Sequence, residues 1–433
     1  MRDMPRAISR RRTAPTGWLL ALALAGGAIG GTGAACDAAP PTRVRVVWLD
    51  DDHQHRLRDV ALPAGTDLER LSSDAIQFRG GGRVVVDGLR FQKLEPGAVD
   101  ADRLRALARD DVGAPVRLRY TREGDVAVPD DYDSLLLASA YIGLDRALTF
   151  LAEFDRTLAT RSTLEVCYRC GLYIDVGTVL PYLVTDNAAF APFADLFVLV
   201  PELLLGEIPI AADAAMLAHE SSHRVFHYQV YQGAALGEML RQFVQQTELS
   251  EAEWRSHNLL KALDEGSADF LAAAFARDPG FAASGLGALG SDRDLTGTRA
   301  QSERYDAAFG VAAAGNRDVV TRTDGGHDPG SGGWDPYHLG TIWAGALWRL
   351  GNRAAADSGT LDVDVEQLRA QVVPALIAAE GDLGAALGRR FEFDFDRIIE
   401  PLLARLPEAQ RAAACGQLAA TFADTIGGIE ACR

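Results

Sequence analysis

The sequence has few basic residues for its length. Its 433 residues include 43 Lys and Arg against 60 Asp and Glu, which gives a net charge of −17. Nucleic-acid-binding proteins hold phosphates mainly with basic side chains, so this balance argues against a nucleic-acid partner. Hydrophobic residues make up 48% of the chain and charged residues 24%, which is typical of a globular protein with a buried core.

Cysteine is also scarce, with five in the whole chain, and no second Cys-x-x-Cys motif accompanies Cys167 and Cys170. A zinc site with four sulfur ligands is therefore excluded. If Cys36 carries a lipid, the other four cysteines are an even number, which suits two disulfides in an oxidising compartment. Among three connectivities we expect local pairing, Cys167 with Cys170 and Cys415 with Cys432. A redox-active Cys167–Cys170 pair is the alternative.

The N-terminal region lacks an apolar run long enough for a membrane-spanning helix. Its run from Gly17 to Gly31 has 15 residues, whereas a helical span needs about 20. Arginines precede this run and small residues follow it, so residues 1–35 are predicted to be an export signal peptide. Cys36 comes directly after them, which predicts a bacterial lipoprotein acylated at Cys36. Ordinary cleavage near Ala35 is the alternative, and in either case the protein leaves the cytoplasm for the periplasm, the cell surface or the medium.

Strand patterns come early in the chain and helical patterns come late, which predicts an α+β protein. After a tether at 36–42, alternating segments such as Arg43–Trp48 and Val116–Tyr120 predict a small α+β module at 43–129. Amphipathic helices dominate the remaining residues, 130–433, which we interpret as the functional domain. The sequence leaves open whether the module is a pro-segment, a substrate-docking domain or part of the main fold.

One helical segment carries the motif His-Glu-x-x-His, formed by His219, Glu220 and His223. Residues four apart lie on one face of a helix, so both imidazoles can bind one metal ion. Glu220 is rotated by about 100° from His219 and can face a metal-bound water. On a second predicted helix, Leu259 to Ala276, Glu265 is the candidate third ligand, and Asp269 is placed to orient a histidine ligand.

These two segments resemble the gluzincin zinc metallopeptidases, which include thermolysin-like and fungalysin-like enzymes. The second segment, Asp264 to Asp269, reads Asp-Glu-Gly-x-Ala-Asp as in that family. The resemblance implies a zincin-like two-lobed fold, with a mixed N-lobe and a mainly helical C-lobe. It also implies one Zn²⁺ per chain, a peptide or protein substrate, and hydrolysis by metal-activated water with Glu220 as general base.

Two further stretches extend the resemblance and add candidate site residues. Asn187 and Ala188 are similar to the edge-strand residues that hold an extended substrate in this family. His338 is similar to the histidine that donates a hydrogen bond to the developing oxyanion, and Tyr337 and His327 are alternatives for that role.

The sequence also departs from the family. Residues 233–258 lengthen the interval between His223 and Glu265. No convincing calcium loop is present: the acidic segments Asp50-Asp51-Asp52 and Asp130-Asp131-x-Asp133 are interpreted as solvated turns, although calcium stays possible. An endopeptidase is favoured over an exopeptidase. The competing hypothesis is a catalytically silent zinc-site lipoprotein that serves as a binding or assembly component.

Overall fold

A computed structural model gives the fold of the chain. It describes residues 39–50, 52–87, 109–111, 113–155, 163–175, 182–184, 188–192, 195–200, 205–231, 235–236, 238–239, 250–305, 336–353, 361–387 and 392–433. The predicted signal peptide, Cys36, Asn187 and His327 lie outside the described residues. The described part from Pro41 onward forms one compact unit, and it mixes strands and helices, as the α+β prediction requires.

Thirteen strands in the described part form three small sheets, with orders β2-β1-β8-β7, β11-β10-β4-β5 and β12-β13-β9-β3-β6. The strands are β1 (Arg43–Leu49), β2 (His55–Ala61), β3 (Ile76–Gly80), β4 (Arg83–Asp87), β5 (Arg109–Asp111), β6 (Ala114–Pro115), β7 (Tyr120–Glu123), β8 (Val126–Pro129), β9 (Leu164–Tyr168), β10 (Gly171–Asp175), β11 (Tyr182–Val184), β12 (Ala188–Ala191) and β13 (Leu196–Leu199). The predicted strand at Arg43–Trp48 is confirmed as β1. The one predicted at Val116–Tyr120 is wrong, because strand geometry ends at Pro115 and resumes only at Tyr120.

The sheets join the predicted module to the residues that follow it. β3 pairs in parallel with β9, and β4 pairs in parallel with β10, over five residues in each case. Ser139 accepts a hydrogen bond from the backbone N–H of Val47 at 3.0 Å, which connects β1 to the first long helix. Strands from 43–129 therefore lie inside sheets that also contain strands beyond residue 130.

In the part of the chain that the structure describes, seven longer helices follow, named α1 (Tyr132–Phe154), α2 (Ala214–Val230), α3 (Glu251–Ala276), α4 (Pro336–Arg349), α5 (Val373–Leu387), α6 (Asp396–Arg405) and α7 (Glu408–Gly428). Short helical turns occur at Ile210–Ala212, Ala283–Leu286, Ala288–Ser291, Thr298–Ser302, Val365–Gln367 and Glu430–Cys432, and a π-helical turn at Leu368–Val372 leads into α5. Helix α2 packs against α1, α3 and α5, so it lies at the centre of the helical part.

Local sequence signals set where the main helices begin. The Asp131 side chain caps α1, and Asp213 caps α2 by accepting hydrogen bonds from the backbone N–H groups of Ala215 and Met216. Ser250 and Glu253 form a capping box that starts α3. Helix α3 therefore begins before its predicted start at Leu259, and the last part of the predicted 233–258 insertion is helical.

Both predicted disulfides are confirmed. Cys167 is bonded to Cys170 across the turn between β9 and β10, with Cα atoms 5.5 Å apart. Cys415 is bonded to Cys432, with Cα atoms 5.6 Å apart, and this bond ties the C-terminus to α7.

Two helical stretches, Tyr132–Phe154 and Val365–Leu387, are long and apolar enough to cross a membrane. More than half of each apolar window is buried inside the fold, 67% and 56% respectively. Both therefore have the burial of core helices.

Candidate metal centre

Helix α2 presents two imidazoles to one small space. His219 and His223 lie one turn apart, and their Nε2 atoms are 3.0 Å from each other. The His219 side chain is only 3% exposed, because α2 is packed on several sides. The i,i+4 spacing in the sequence therefore produces the expected pair of neighbouring nitrogens.

Each histidine is oriented by a carboxylate at its other nitrogen. Asp269 lies 3.0 Å from Nδ1 of His219, and Asp264 lies 2.7 Å from Nδ1 of His223. A proton at Nδ1 that bonds to a carboxylate leaves the Nε2 lone pair for a metal. Asp269 therefore lies beside His219, the position that its predicted orienting role requires, and Asp264 has the same position beside His223, which the sequence did not indicate.

Glu265 brings a carboxylate oxygen to the same space. Its Oε2 lies 3.6 Å from Nε2 of His219 and 3.7 Å from Nε2 of His223. This oxygen is buried and forms no hydrogen bond. The ligand atoms of the three residues lie within 4.8 Å of one another, so the group could hold a metal ion. Two imidazole nitrogens and one carboxylate oxygen suit Zn²⁺ and leave a fourth position open.

A contact between two glycines fixes the part of α3 that carries Glu265. Gly266 lies against the backbone of Gly340 in α4, so closely that a Cβ atom at Gly266 would overlap the Gly340 carbonyl. Only residues without a side chain allow this approach. The position of Glu265 therefore depends on α4 as well as on α3.

The charges of the site shift the pKa values of its ligands. Burial lowers the pKa of His223, but the carboxylates of Asp264 and Glu265 outweigh burial and raise it to about 10. Burial alone would raise the pKa of Glu265, yet the charges of His223, His219 and Arg293 lower it to about 2. The metal-free site thus holds protons on imidazole and a full negative charge on Glu265, and a cation that binds must displace those protons.

Glu220 faces the same site from α2. Its Oε2 accepts a hydrogen bond from the backbone N–H of Phe190 at 3.1 Å. Burial raises the pKa of Glu220, and the charges of His219 and His223 partly offset this increase. A carboxylate with a raised pKa is a better proton acceptor near neutral pH.

Phe190 belongs to β12, the edge strand of its sheet. Ala188 begins this strand and pairs with Leu199 of β13. The structure therefore places Ala188 in the strand that contacts Glu220, in agreement with its expected location on an edge strand. No substrate role for Ala188 follows from this placement alone.

Arg293 is a site residue that the sequence analysis missed. It binds both carboxylate oxygens of Asp269, with 3.2 Å from Nε to Oδ2 and a closer contact from Nη2 to Oδ1. Its Nη2 also lies 3.8 Å from Oε2 of Glu265. No local signal identifies it, because it follows α3 in a region of short helical turns. Its charge offsets the acids around the ligands.

Tyr337 and His338, the two candidate hydrogen-bond donors to the oxyanion at the start of α4, contact different neighbours. His338 binds Glu303 through Nε2. The ring of Tyr337 lies over the Arg293 guanidinium, with 5.0 Å from Cζ to the ring centroid. The described contacts therefore connect Tyr337, rather than His338, to a residue that touches the metal ligands.

The acidic turns considered for calcium have protein partners. Asp50 lies 2.8 Å from Arg56, Asp131 caps α1, and Asp133 accepts a hydrogen bond from Tyr168 at 2.7 Å. Among the residues that the structure describes, His219, His223 and Glu265 are the one group with metal-binding geometry.

Comparison with known proteins does not identify a family. No protein-family model matches the chain, and no curated protein matches it either. A functional assignment therefore rests on the geometry of this site.

Proposed function

We propose that the chain is an extracytoplasmic zinc-dependent peptidase, with zinc held by His219, His223 and Glu265. One observation carries the proposal: three ligand atoms converge within 4.8 Å, and Glu220 faces them from the same helix as the histidines. A purely structural metal site needs no carboxylate beside its ligands, whereas hydrolysis needs a general base.

Zinc at this site would supply Lewis acidity, which polarises a peptide carbonyl and makes water a nucleophile near neutral pH. Glu220 accepts a proton from the attacking water and passes it to the leaving amine. Asp264 and Asp269 hold the two imidazoles in the tautomer that exposes Nε2. In this proposal the backbone of β12 aligns an extended peptide beside Glu220.

The proposal also includes the expected two-lobed fold, export from the cytoplasm and endopeptidase activity. A two-lobed zincin arrangement would put the sheets on one side of the site and the helices α3 to α7 on the other. Export through the predicted signal, with a lipid at Cys36, accounts for two disulfides in a chain that otherwise has no cysteine. An extended substrate on an edge strand favours an endopeptidase.

A metal-binding lipoprotein without activity is the second candidate. It is favoured by the Phe190 hydrogen bond, which occupies one oxygen of Glu220 at 3.1 Å. A base that stayed bonded in this way would be less effective.

The test is to measure zinc content on purified residues 37–433 and to follow cleavage of unfolded casein. We expect one zinc per chain and proteolysis by the wild type. The Glu220→Gln variant should keep the zinc and lose activity by about 100-fold or more. The control is Glu400→Gln, at an exposed position on α6. Zinc without cleavage would favour the silent lipoprotein, and absence of zinc would overturn both candidates.

A further inference from the structure

The structure also has a cavity that lies away from the metal ligands. It has a volume of about 460 Å³ and is lined by the turn after β1, the second half of α1, the last residues of α3 and Arg369. Cavities of this size hold small organic ligands. None of the metal-site residues lines it. On α3, Phe275 lies six residues beyond Asp269, which corresponds to about 9 Å along the helix axis.

One carboxylate in the lining has no partner. Asp145 of α1 is half-buried and forms no hydrogen bond or ion pair within the described part of the chain. Burial raises the pKa of Asp145, and no neighbouring cation counteracts the effect. Carboxylates removed from water are normally paired. A ligand with a positively charged group would supply the missing partner.

Arg369 also lines the cavity, and no carboxylate in the described part of the chain lies within hydrogen-bond distance of its guanidinium. The Arg369 side chain is 19% exposed, and its nearest carboxylate is Glu153 at 3.9 Å, too far for a hydrogen bond. Burial lowers the pKa of Arg369 and the nearby charge of Arg277 lowers it further, while the charges of Glu366 and Glu153 oppose this decrease only in part. Arg369 projects from the π-helical turn before α5, a distortion that is frequent at functional sites. A ligand carboxylate would satisfy this guanidinium.

Phe275 is the partly exposed aromatic ring in the lining of the cavity, and Phe150, only 4% exposed, packs behind it. Arg369 lies over the Phe150 ring, with 4.9 Å from Cζ to the ring centroid, and Phe150 packs edge-to-face against Phe275 at 5.7 Å.

We infer that this cavity binds a zwitterionic amino acid or short peptide, with its amine at Asp145, its carboxylate at Arg369 and its apolar side chain against Phe275. No ion pair joins Asp145 to Arg369 in the part of the chain that the structure describes, so a ligand with both charges can satisfy each residue separately. Short peptides are also what a peptidase releases, but binding here does not depend on cleavage at the metal centre.

The experiment uses the metal-free Glu220→Gln form of residues 37–433, so that hydrolysis and metal coordination play no part. Isothermal titration calorimetry compares leucyl-leucine with N-acetyl-leucyl-leucine, which lacks the amine charge, and with leucyl-leucinamide, which lacks the carboxylate. We expect leucyl-leucine to bind, and each blocked peptide to bind about tenfold more weakly or worse, because each loses a charged hydrogen bond.

Two variants assign the charges to residues. Asp145→Asn should abolish the preference for leucyl-leucine over the acetylated peptide, and Arg369→Gln should abolish the preference over the amide. Asp67→Asn and Arg70→Gln, exposed residues outside the cavity, are matched controls that should preserve both preferences. Unfolding temperatures establish that the variants are folded.

Three results would overturn the inference. The first is a failure of leucyl-leucine to bind. The second is that the preferences persist in both variants, which would place the peptide elsewhere, including the metal-site cleft. The third is that only the carboxylate affects binding, which would make the cavity a simple anion site. None of these results bears on whether the zinc-loaded wild type cleaves casein, so this inference and the proposed function fail separately.

Discussion

At the scale of single residues, the most unusual group outside the metal site is Glu380 on α5. It is fully buried, and neither carboxylate oxygen has a hydrogen-bond partner. Burial raises its pKa to about 8; the nearby Ser267 hydroxyl opposes this increase, and the charge of Asp264 adds to it. Glu380 is therefore an uncharged acid at neutral pH, on the helix α5 that packs against α2.

This raised pKa predicts a pH-dependent stability. Between about pH 4.5 and 8 the unfolded chain has released the Glu380 proton and the folded chain keeps it, so rising pH disfavours folding by about 1.4 kcal/mol per pH unit. Glu380→Gln should remove this slope, which makes the variant progressively more stable than wild type as pH rises from 5 to 8. Urea unfolding of the metal-free proteins at several pH values measures this difference in stability, with exposed Glu400→Gln as control. A constant difference across this range would contradict the assignment.

The carboxylates behind the histidines predict a graded effect on metal binding. Asp264→Asn keeps an oxygen near Nδ1 of His223 but removes the charge. We expect zinc affinity to fall about 10- to 100-fold without unfolding, as measured by competition with a chromophoric chelator. Asp67→Asn, on the surface, should leave the affinity unchanged, and an unchanged affinity in Asp264→Asn would exclude a supporting role.

The contacts of Tyr337 and His338 predict which residue assists the oxyanion in the proposed peptidase. Tyr337 lies against Arg293, whereas His338 binds Glu303. Tyr337→Phe should therefore lower kcat by about 100-fold with little change in KM, and His338→Gln should stay close to wild type. Steady-state kinetics on one peptide substrate compares them. The reverse order would restore His338 as the donor.

At the scale of elements, the crossing of α3 and α4 controls the third ligand. Gly266→Ala inserts a methyl group where the Gly340 carbonyl lies, so the helices must separate. We expect a loss of about 1–3 kcal/mol of stability together with weaker zinc binding, because Glu265 is the adjacent residue. Chemical unfolding and the chelator competition test both effects.

The matched control for this crossing is Gly416→Ala on α7. That position is exposed and has open space for a Cβ atom. The same substitution should there stabilise the protein by up to about 1 kcal/mol, because alanine favours the helix. Equal effects at both positions would mean that backbone propensity, rather than the crossing, determines the result.

Elements with strong local signals were predictable, and contacts between distant segments were not. His219 and His223 follow from a spacing of four on a helix, and Glu265 and Asp269 repeat that spacing on α3. Asp264 had a weaker signal, its position directly before Glu265. No local sequence pattern indicated Arg293 or the backbone of Phe190, because tertiary packing alone brings them to the site. The strand predicted at Val116–Tyr120 failed because alternation over five residues does not ensure a pairing partner.

At the scale of the whole molecule, strands from residues 43–129 belong to the same sheets as strands from later in the chain. β3 and β4 each have neighbours on both sides within their sheets, and Phe78 of β3 packs against Tyr141 of α1, with ring centroids 6.0 Å apart. Parallel pairing of β3 with β9 and of β4 with β10 requires the two parts of the chain to fold together. A removable pro-segment would not be expected to supply interior strands.

Truncation tests this directly. A chain of residues 130–433 loses β3 and β4, so β9 and β10 expose unpaired backbone groups and apolar faces. We expect it to be insoluble or to lack cooperative unfolding, whereas residues 37–433 fold and unfold as one unit. Circular dichroism during thermal unfolding and size-exclusion chromatography compare the two. A soluble 130–433 fragment with one bound zinc and casein cleavage would show instead that 43–129 is dispensable, and would restore the pro-segment hypothesis.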